Sequence, residues 1–222
     1  MVPLTFTGKD DLFKAIFEAA NEGRRARLGE LVELGLTNGL ESFELADFLV
    51  LQALRICDTF NRSEIYFNEF YLSIDSIDKV LQMLRPDLAF TTSSQLTKST
   101  VVLGTIQGDV HEMGKTVLRI LLEKEGIQVV DLGANVKPEA FIKAIQKHGA
   151  RVLGVSCLLS PAMIGMIQLK KRMQEANLEY IWTIIGGKAT SRNFAVNVGF
   201  SEWASTAVQG AKLIISYLGV KG

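Results

Sequence analysis

The sequence has few cysteines, and its N-terminus has no basic segment followed by a long apolar run. Cys57 and Cys157 are the only two, and both lie in strongly apolar stretches. A disulfide framework is therefore not expected, and the two thiols fit the core of a protein in a reducing compartment. Because a secretion signal is also missing, we expect a cytoplasmic protein.

An excess of charge of either sign is also missing. Lys plus Arg and Asp plus Glu number 24 each, so the formal net charge is zero. Such a chain has no overall field to draw it to nucleic acid or to an anionic membrane, and neither is expected as a partner. The most hydrophobic region, residues 152–169, is interrupted by serines, a proline and a glutamine, which a membrane span would not tolerate well.

What the chain does have is helical periodicity from Lys9 to about Leu84, with apolar residues spaced for one face of each helix. Glycines provide stops, and Pro86 is expected to end the last helix. The predicted helices span roughly residues 9–22, 25–38, 41–60 and 64–84. Short connections make neighbours antiparallel, so residues 1–86 are predicted to form a four-helix bundle.

The pattern changes after residues 87–99, a stretch rich in Thr and Ser that we interpret as a linker. Short β-rich runs then alternate with amphipathic helices through residues 100–222, which predicts a parallel five-stranded sheet with helices on both faces. The predicted strands span residues 100–106, 128–132, 152–158, 180–185 and 202–204. Ligands of such sheets bind beyond the carboxyl ends of the strands.

The loop after the first strand reads QGDVHEMGK and is the most informative segment. Gly108 and Gly114 allow a ligand to approach the backbone, while Asp109 and His111 place a carboxylate beside an imidazole. A ligating histidine usually donates its other ring N–H to such a carboxylate. The alternative is that His111 is an ordinary loop residue and Asp109 a helix cap.

One histidine and one carboxylate do not make a zinc cage, which needs about four ligands. If His111 binds a metal, a macrocycle must therefore hold most of it. Later strand ends carry small residues, Ser156 and then Gly186 and Gly187, which would leave a slot for a long, flat group. The plainer alternative is a satisfied strand serine and a simple Gly-Gly turn.

In their order, GDVHEMG, Ser156-Cys157-Leu158 and Gly186-Gly187 resemble the signature Asp-X-His-X-X-Gly, Ser-X-Leu, Gly-Gly. That signature belongs to the cobalamin-binding domains of methionine synthase, corrinoid methyl-carrier proteins and some mutases. The likeness extends through GTIQGDVHEMGK, VVDLGANVKPE and LLSPAM, and the helical half resembles the family's cap module. The resemblance implies a Rossmann-like (flavodoxin-like) sheet, and the pairing with a cap favours methyl transfer over mutase chemistry.

In this family the nucleotide tail of cobalamin leaves the cobalt and enters the slot, while the histidine takes its place. The resemblance thus implies that His111 is the cobalt ligand, Asp109 orients it and Gly114 opens the tail channel. The cofactor-binding residues it implies in the α/β half are Gly108, Asp109, Val110, His111, Glu112, Met113, Gly114, Ser156, Leu158, Ser160, Gly186 and Gly187.

The segment FNRSEIYF resembles the turn that lies above the corrin in the family's cap. Phe60 and Phe67 would then cover the upper face of the cofactor, the alternative being that both are bundle core. Ser63 and Asn68 stand where the family often has glycine and proline, which predicts an altered turn.

Two departures concern the α/β half. Ala162 replaces a serine that extends the His-Asp pair in methionine synthase, and Ser160 is the nearby hydroxyl that could substitute for it. Lys188 follows the Gly-Gly where a small residue is usual. The chain's other histidine, His148, lies at a predicted helix end and is given no catalytic role.

The function that the resemblance implies is that of a methyl carrier, with the cofactor as methylcobalamin or cob(I)alamin. Its partners would be a substrate-specific methyltransferase and a second methyltransferase acting on a folate-like or thiol acceptor. The chain has no room for a catalytic barrel of about 250 residues, so it would not act alone. The alternatives are a cobalamin-dependent sensor and a scaffold that has lost the cofactor.

Overall fold

The computed structural model describes residues 8–91 and 99–220, and the side chains of residues 8–84 and 99–220. The chain divides into two compact units, Met1–Ser94 and Gln95–Gly222. The described residues of the first unit form four helices, as predicted: α1 (Lys9–Asn21), α2 (Arg25–Thr37), α3 (Ser42–Asn61) and α4 (Phe67–Thr91).

The helical unit closes around apolar faces with the spacing that its sequence predicts. In α3, Leu45, Leu49 and Ile56 recur at intervals of four and seven residues and are buried. Helix α4 also covers the end of α1, since the hydroxyl of Ser73 donates to the carbonyl of Asn21 over 2.7 Å. That bond satisfies one of the carbonyls left unpaired where a helix ends.

The prediction that Pro86 ends the last helix is wrong, because α4 continues through it to Thr91. Proline lacks an N–H and so removes one hydrogen bond from a helix interior, but the bonds on either side can keep the helix going. Residues 87–91 of the predicted linker are therefore helical. Residues 92–98 of that linker lie outside the described part of the chain.

The second unit is a parallel sheet whose strands appear in the order β2-β1-β3-β4-β5. This is the flavodoxin-like order, so the predicted fold class is confirmed. The strands are β1 (Thr100–Thr105), β2 (Gln128–Asp131), β3 (Val152–Ser156), β4 (Trp182–Gly186) and β5 (Glu202–Ala204). The helices are α5 (Met113–Lys124), α6 (Pro138–His148), α7 (Met163–Glu175), α8 (Arg192–Val198) and α9 (Ala207–Leu218).

Helices cover both faces of the sheet. On one face, Val102, Leu153 and Ile185 pack against α6, α7 and α8 in a single hydrophobic core. Helices α5 and α9 pack against each other and against the strands of the same sheet. The strand order changes direction between β1 and β3. The loops after these two strands therefore leave the carboxyl end of the sheet on opposite sides, and a ligand site is expected between them.

None of the helices in the described residues is both long and apolar enough to cross a membrane.

Candidate functional site

His111 lies in the loop between β1 and α5 and is paired with a buried carboxylate. Its ring Nδ1 is 2.7 Å from Asp109 Oδ1, and its backbone N–H donates to the same oxygen over 3.0 Å. The His111 side chain is 44% exposed, whereas Asp109 is fully buried. Because Nδ1 is engaged, Nε2 is the ring nitrogen that remains for a ligand.

The second oxygen of Asp109 is held by the end of β3. Asp109 Oδ2 accepts hydrogen bonds from the backbone N–H groups of Leu158 and Leu159, the latter over 3.2 Å. Burial alone would raise the pKa of Asp109, but these bonds and those from His111 hold it below its usual range. The carboxylate is therefore ionised and favours the His111 tautomer that carries its proton on Nδ1.

Cys157 lies beside this pair but is not available as a metal ligand. Its side chain is fully buried, and its Sγ donates to the carbonyl of Leu159 over 3.3 Å. Burial, together with the charge of Asp109, raises the pKa of Cys157 to about 11, so the thiol stays neutral. Among the described side chains, those of residues 8–84 and 99–220, no three His, Cys, Asp or Glu gather to hold a metal ion.

Two residues that were not predicted hold the backbone of this loop. The buried hydroxyl of Thr105 donates to the carbonyl of His111 over 3.0 Å. Asn135, in the loop after β2, accepts from the N–H of Gly108 and donates its own N–H to the carbonyl of Asp109, each over 2.9 Å. The sequence signal was weak: an asparagine in a turn at the edge where the neighbouring strand also ends.

Small residues line up at the carboxyl end of the sheet. Thr105, Ser156, Gly186 and Ala204 are neighbours across four strands. A Cβ added at Gly186 would meet only the carbonyl oxygen of Ala204, at 3.2 Å, and one added at Gly114 would meet nothing within 4 Å. The structure therefore brings Ser156 and Gly186 together, with open space at Gly114.

Gly187 has a different task from Gly186. Its φ of 105° lies in a region that side chains rarely adopt, and an added Cβ would lie 2.7 Å from the carbonyl carbon of Cys157. The glycine thus lets the turn after β4 pack directly on the backbone that leads to Leu158 and Leu159. Lys188, the next residue, is exposed.

The other predicted residues of the α/β unit surround the pair. Val110 is 71% exposed, and Leu158 is exposed next to the buried Cys157. Glu112 is exposed just before α5, Met113 is half-buried at its start, and Ser160 is exposed.

Ala162 stands where a serine would extend the His-Asp pair, and Ser160 was the candidate to substitute for that serine. Ala162 is buried, and its Cβ lies 3.6 Å from where a Cβ on Gly108 would stand. In the described residues, the hydrogen bonds to the Asp109 carboxylate come from N–H groups of His111, Leu158 and Leu159. Ser160 is not among these donors.

The two cap phenylalanines differ in their surroundings within the helical unit. Phe60 is half-buried and stacks on Phe70, with 4.3 Å between ring centroids. Phe67 is 57% exposed and so is not part of the bundle core. Ser63, in the turn between them, has a φ of 59°, which explains why glycine suits this position. Asn68 is exposed in the first turn of α4.

Comparisons with known proteins agree with this architecture. Residues 99–204 match the family model described as the B12 binding domain. The chain is 28% identical over 213 residues to a corrinoid protein of Desulfitobacterium hafniense, covering 95% of this chain and 97% of that protein. It is 26% identical over 205 residues to the trimethylamine corrinoid protein of Methanosarcina barkeri, covering 90% of this chain and 88% of that protein.

Solved structures show the same fold. The methanol:cobalamin methyltransferase complex of Methanosarcina barkeri matches with a TM-score of 0.69 at 23% identity, covering 96% of this chain and 82% of that chain. The monomethylamine corrinoid protein of the same organism matches with a TM-score of 0.61 at 23% identity, covering 95% of this chain and all of that chain.

The family model, described as the B12 binding domain, falls on the unit that carries the paired histidine and the row of small residues. The similarity to corrinoid proteins extends through the helical unit as well. The chain is thus similar to corrinoid proteins along most of its length, with a helical unit followed by a unit that matches the B12 binding domain.

The close packing at Gly187 leads to a stability prediction. Gly187→Ala should destabilise the α/β unit by about 2–4 kcal/mol, because the new Cβ meets the Cys157 backbone in addition to the strain of its φ. Chemical denaturation followed by circular dichroism measures this. Gly149→Ala is the matched control: its φ of 58° is also positive, but nothing lies within 4 Å of the added Cβ. Equal losses in the two variants would show that the contact does not matter.

Proposed function

We propose that this protein binds cobalamin with Nε2 of His111 on the lower face of the cobalt and carries a methyl group between two methyltransferases. The first would be a substrate:corrinoid methyltransferase and the second an enzyme that acts on a folate-like or thiol acceptor. The observation that carries the proposal is the hydrogen bond between Asp109 and Nδ1 of His111, which leaves Nε2 of the half-exposed ring available for a ligand.

The residues fit this cofactor. One paired imidazole, in a described chain where no three His, Cys, Asp or Glu side chains gather, suits a metal whose other positions are filled by a macrocycle. When bound, cobalamin supplies the cobalt that accepts and releases the methyl group. Asp109 fixes the tautomer and the orientation of the His111 ring, which would tune how strongly the imidazole binds the metal.

The row of small residues fits the nucleotide tail. Ser156 and Gly186 lie side by side at the carboxyl ends of β3 and β4, and the space beside Gly114 at the start of α5 is open. A long, flat group would enter there without displacing a side chain. Leu158, exposed beside Asp109, would cover the cofactor near the histidine.

In the helical unit, Phe67 would cover the upper face. Its ring is exposed on the unit's surface, and the half-buried Phe60 lies 6.3 Å away between ring centroids. An apolar cover would keep water from a bound methyl group and would have to move for each partner enzyme. The names of the relatives point to methylamine or methanol methyltransferases as the class of donor enzyme.

The first test replaces the proposed ligand. After incubation with hydroxocobalamin and removal of free cofactor, the wild type should retain about one cobalamin per chain with a shifted visible spectrum. His111→Ala should lose that shift and bind at least about 10-fold more weakly, because losing the ligand itself should cost no less than losing one of its outer-shell partners.

His148→Ala is the matched control, since it removes the chain's other histidine from the exposed end of α6. It should behave like the wild type. If His111→Ala has the wild-type spectrum and affinity, His111 is not the axial ligand. If the wild type retains no cobalamin at all, the chain is a scaffold that has lost its cofactor.

A second variant tests the orienting carboxylate. Asp109→Asn cannot accept four N–H bonds, because one of its two terminal atoms is a donor, and it also removes the negative charge. We expect weaker ligation than in the wild type but stronger than in His111→Ala, measured by the same spectra and by cobalamin titration. A variant indistinguishable from the wild type would mean that the pair does not tune the metal.

The carrier role is tested by transfer. Protein loaded with cobalamin, reduced and methylated with iodomethane should keep its methyl group in buffer with a free thiol or tetrahydrofolate. It should release the group when a corrinoid:thiol or corrinoid:folate methyltransferase is added. A sensor would fail with both enzymes and would instead change its oligomeric state on illumination, which size-exclusion chromatography detects.

A further inference from the structure

We infer that Asn135 and Thr105 are positioning residues that hold the loop of residues 108–111 in the shape in which His111 can reach the metal. The inference rests on the proposed ligation by His111. It assigns a role to two residues outside the sequence motif, neither of which touches the proposed metal itself.

Apart from the bonds of the buried Asp109 carboxylate and the bond from the Asp109 N–H to the carbonyl of Ile106, the side chains of the loop do little to hold it. Gly108 has no side chain, and Val110 is 71% exposed. The backbone groups of the loop are instead bonded to Asn135 at Gly108 and Asp109, and to Thr105 at His111. These three bonds lie on both sides of the Asp109 side chain, so they fix where its carboxylate and hence the His111 ring can stand.

Asn135 suits this task because of its backbone shape. Its φ is 54°, a left-handed conformation that asparagine tolerates better than most residues. The conformation lets one residue use both its side-chain oxygen and its backbone N–H on the same stretch of loop. The side-chain oxygen of Asn135 accepts the hydrogen bond from the Gly108 N–H, so aspartate at this position would keep that bond and glycine would remove it.

Asn135 is itself anchored to the end of β1. The N–H of Val136 donates to the carbonyl of Thr105, and the N–H of Thr105 donates to the carbonyl of Gly133, each over 2.9 Å. The turn at Gly133 is tied in turn to Asp131, which accepts from the buried ammonium of Lys115 at 2.6 Å. Asn135 is therefore connected to the buried end of β1 and, through Asp131, to the buried Lys115 of α5.

A loop already held in its ligating shape pays no ordering cost when Nε2 binds the metal. If it samples other shapes, the apparent strength of ligation falls by the fraction of time spent in them. Loss of one such hydrogen bond, of ordinary strength, should lower the ratio of ligated to unligated histidine by about three- to tenfold.

The experiment measures that ratio directly. Protein labelled with [15N]histidine is loaded with cobalamin and reduced to the Co(II) state, and the electron paramagnetic resonance spectrum is recorded. A nitrogen ligand from the protein splits each line into a doublet, whereas the unlabelled base of the cofactor gives a triplet. Asn135→Gly and Thr105→Val should each lower the doublet fraction, and Asn135→Asp should restore most of it.

Asn177→Gly is the matched control. Asn177 has the same φ of 54° and follows α7, away from the histidine loop, so it reports the general cost of replacing a left-handed asparagine with glycine. It should leave the doublet fraction unchanged. Thermal melts of each loaded protein give the stability loss, and Thr105→Val alone carries the test if Asn135→Gly does not fold.

The outcomes separate the two claims. If the wild type gives no doublet, ligation by His111 is wrong and the positioning role is lost with it. If the wild type gives a doublet that His111→Ala removes, ligation holds. The positioning role is then overturned if Asn135→Gly matches Asn177→Gly, or if Thr105→Val matches the wild type where Asn135→Gly does not fold.

Discussion

The site depends on the buried carboxylate of Asp109, which stays ionised because four N–H bonds are directed at it. One carboxylate oxygen accepts from the backbone N–H and the ring of His111, and the other accepts from the backbone N–H groups of the two residues Leu158 and Leu159 after β3. The same charge therefore sets the tautomer of the histidine and joins two strand-end loops. A buried carboxylate without such donors would be costly, so the loops and the charge require one another.

The rest of the sheet edge is built to allow this junction. Gly187 brings the turn after β4 against Cys157, and the N–H groups of the two residues after Cys157 point to Asp109. The small residues Ser156 and Gly186 keep bulky side chains away from the carboxyl ends of β3 and β4. The parallel sheet supplies the common edge, because its strands all end on the same side.

The periodicity of the sequence was enough to predict the order of helices and strands, because each element buries one regular face. The expectation that Pro86 ends the last helix was wrong, because the helix on either side of the proline continues through it.

The Asp109–His111 pair was predictable because both residues lie in one short loop. Asn135 and Thr105 were not, since their bonds go to backbone groups that every residue has, and only the folded chain brings them together. Gly187 was predicted as part of a slot, but its close contact with Cys157 required the register of two strands.

The most direct test of the account is a crystal structure of the protein loaded with cobalamin. The account predicts His111 Nε2 at a bonding distance of about 2 Å from the cobalt, with Nδ1 still on Asp109 and the nucleotide tail between Ser156 and Gly114. A structure in which the base of the cofactor remains on the cobalt and the His111 ring turns to solvent would contradict it.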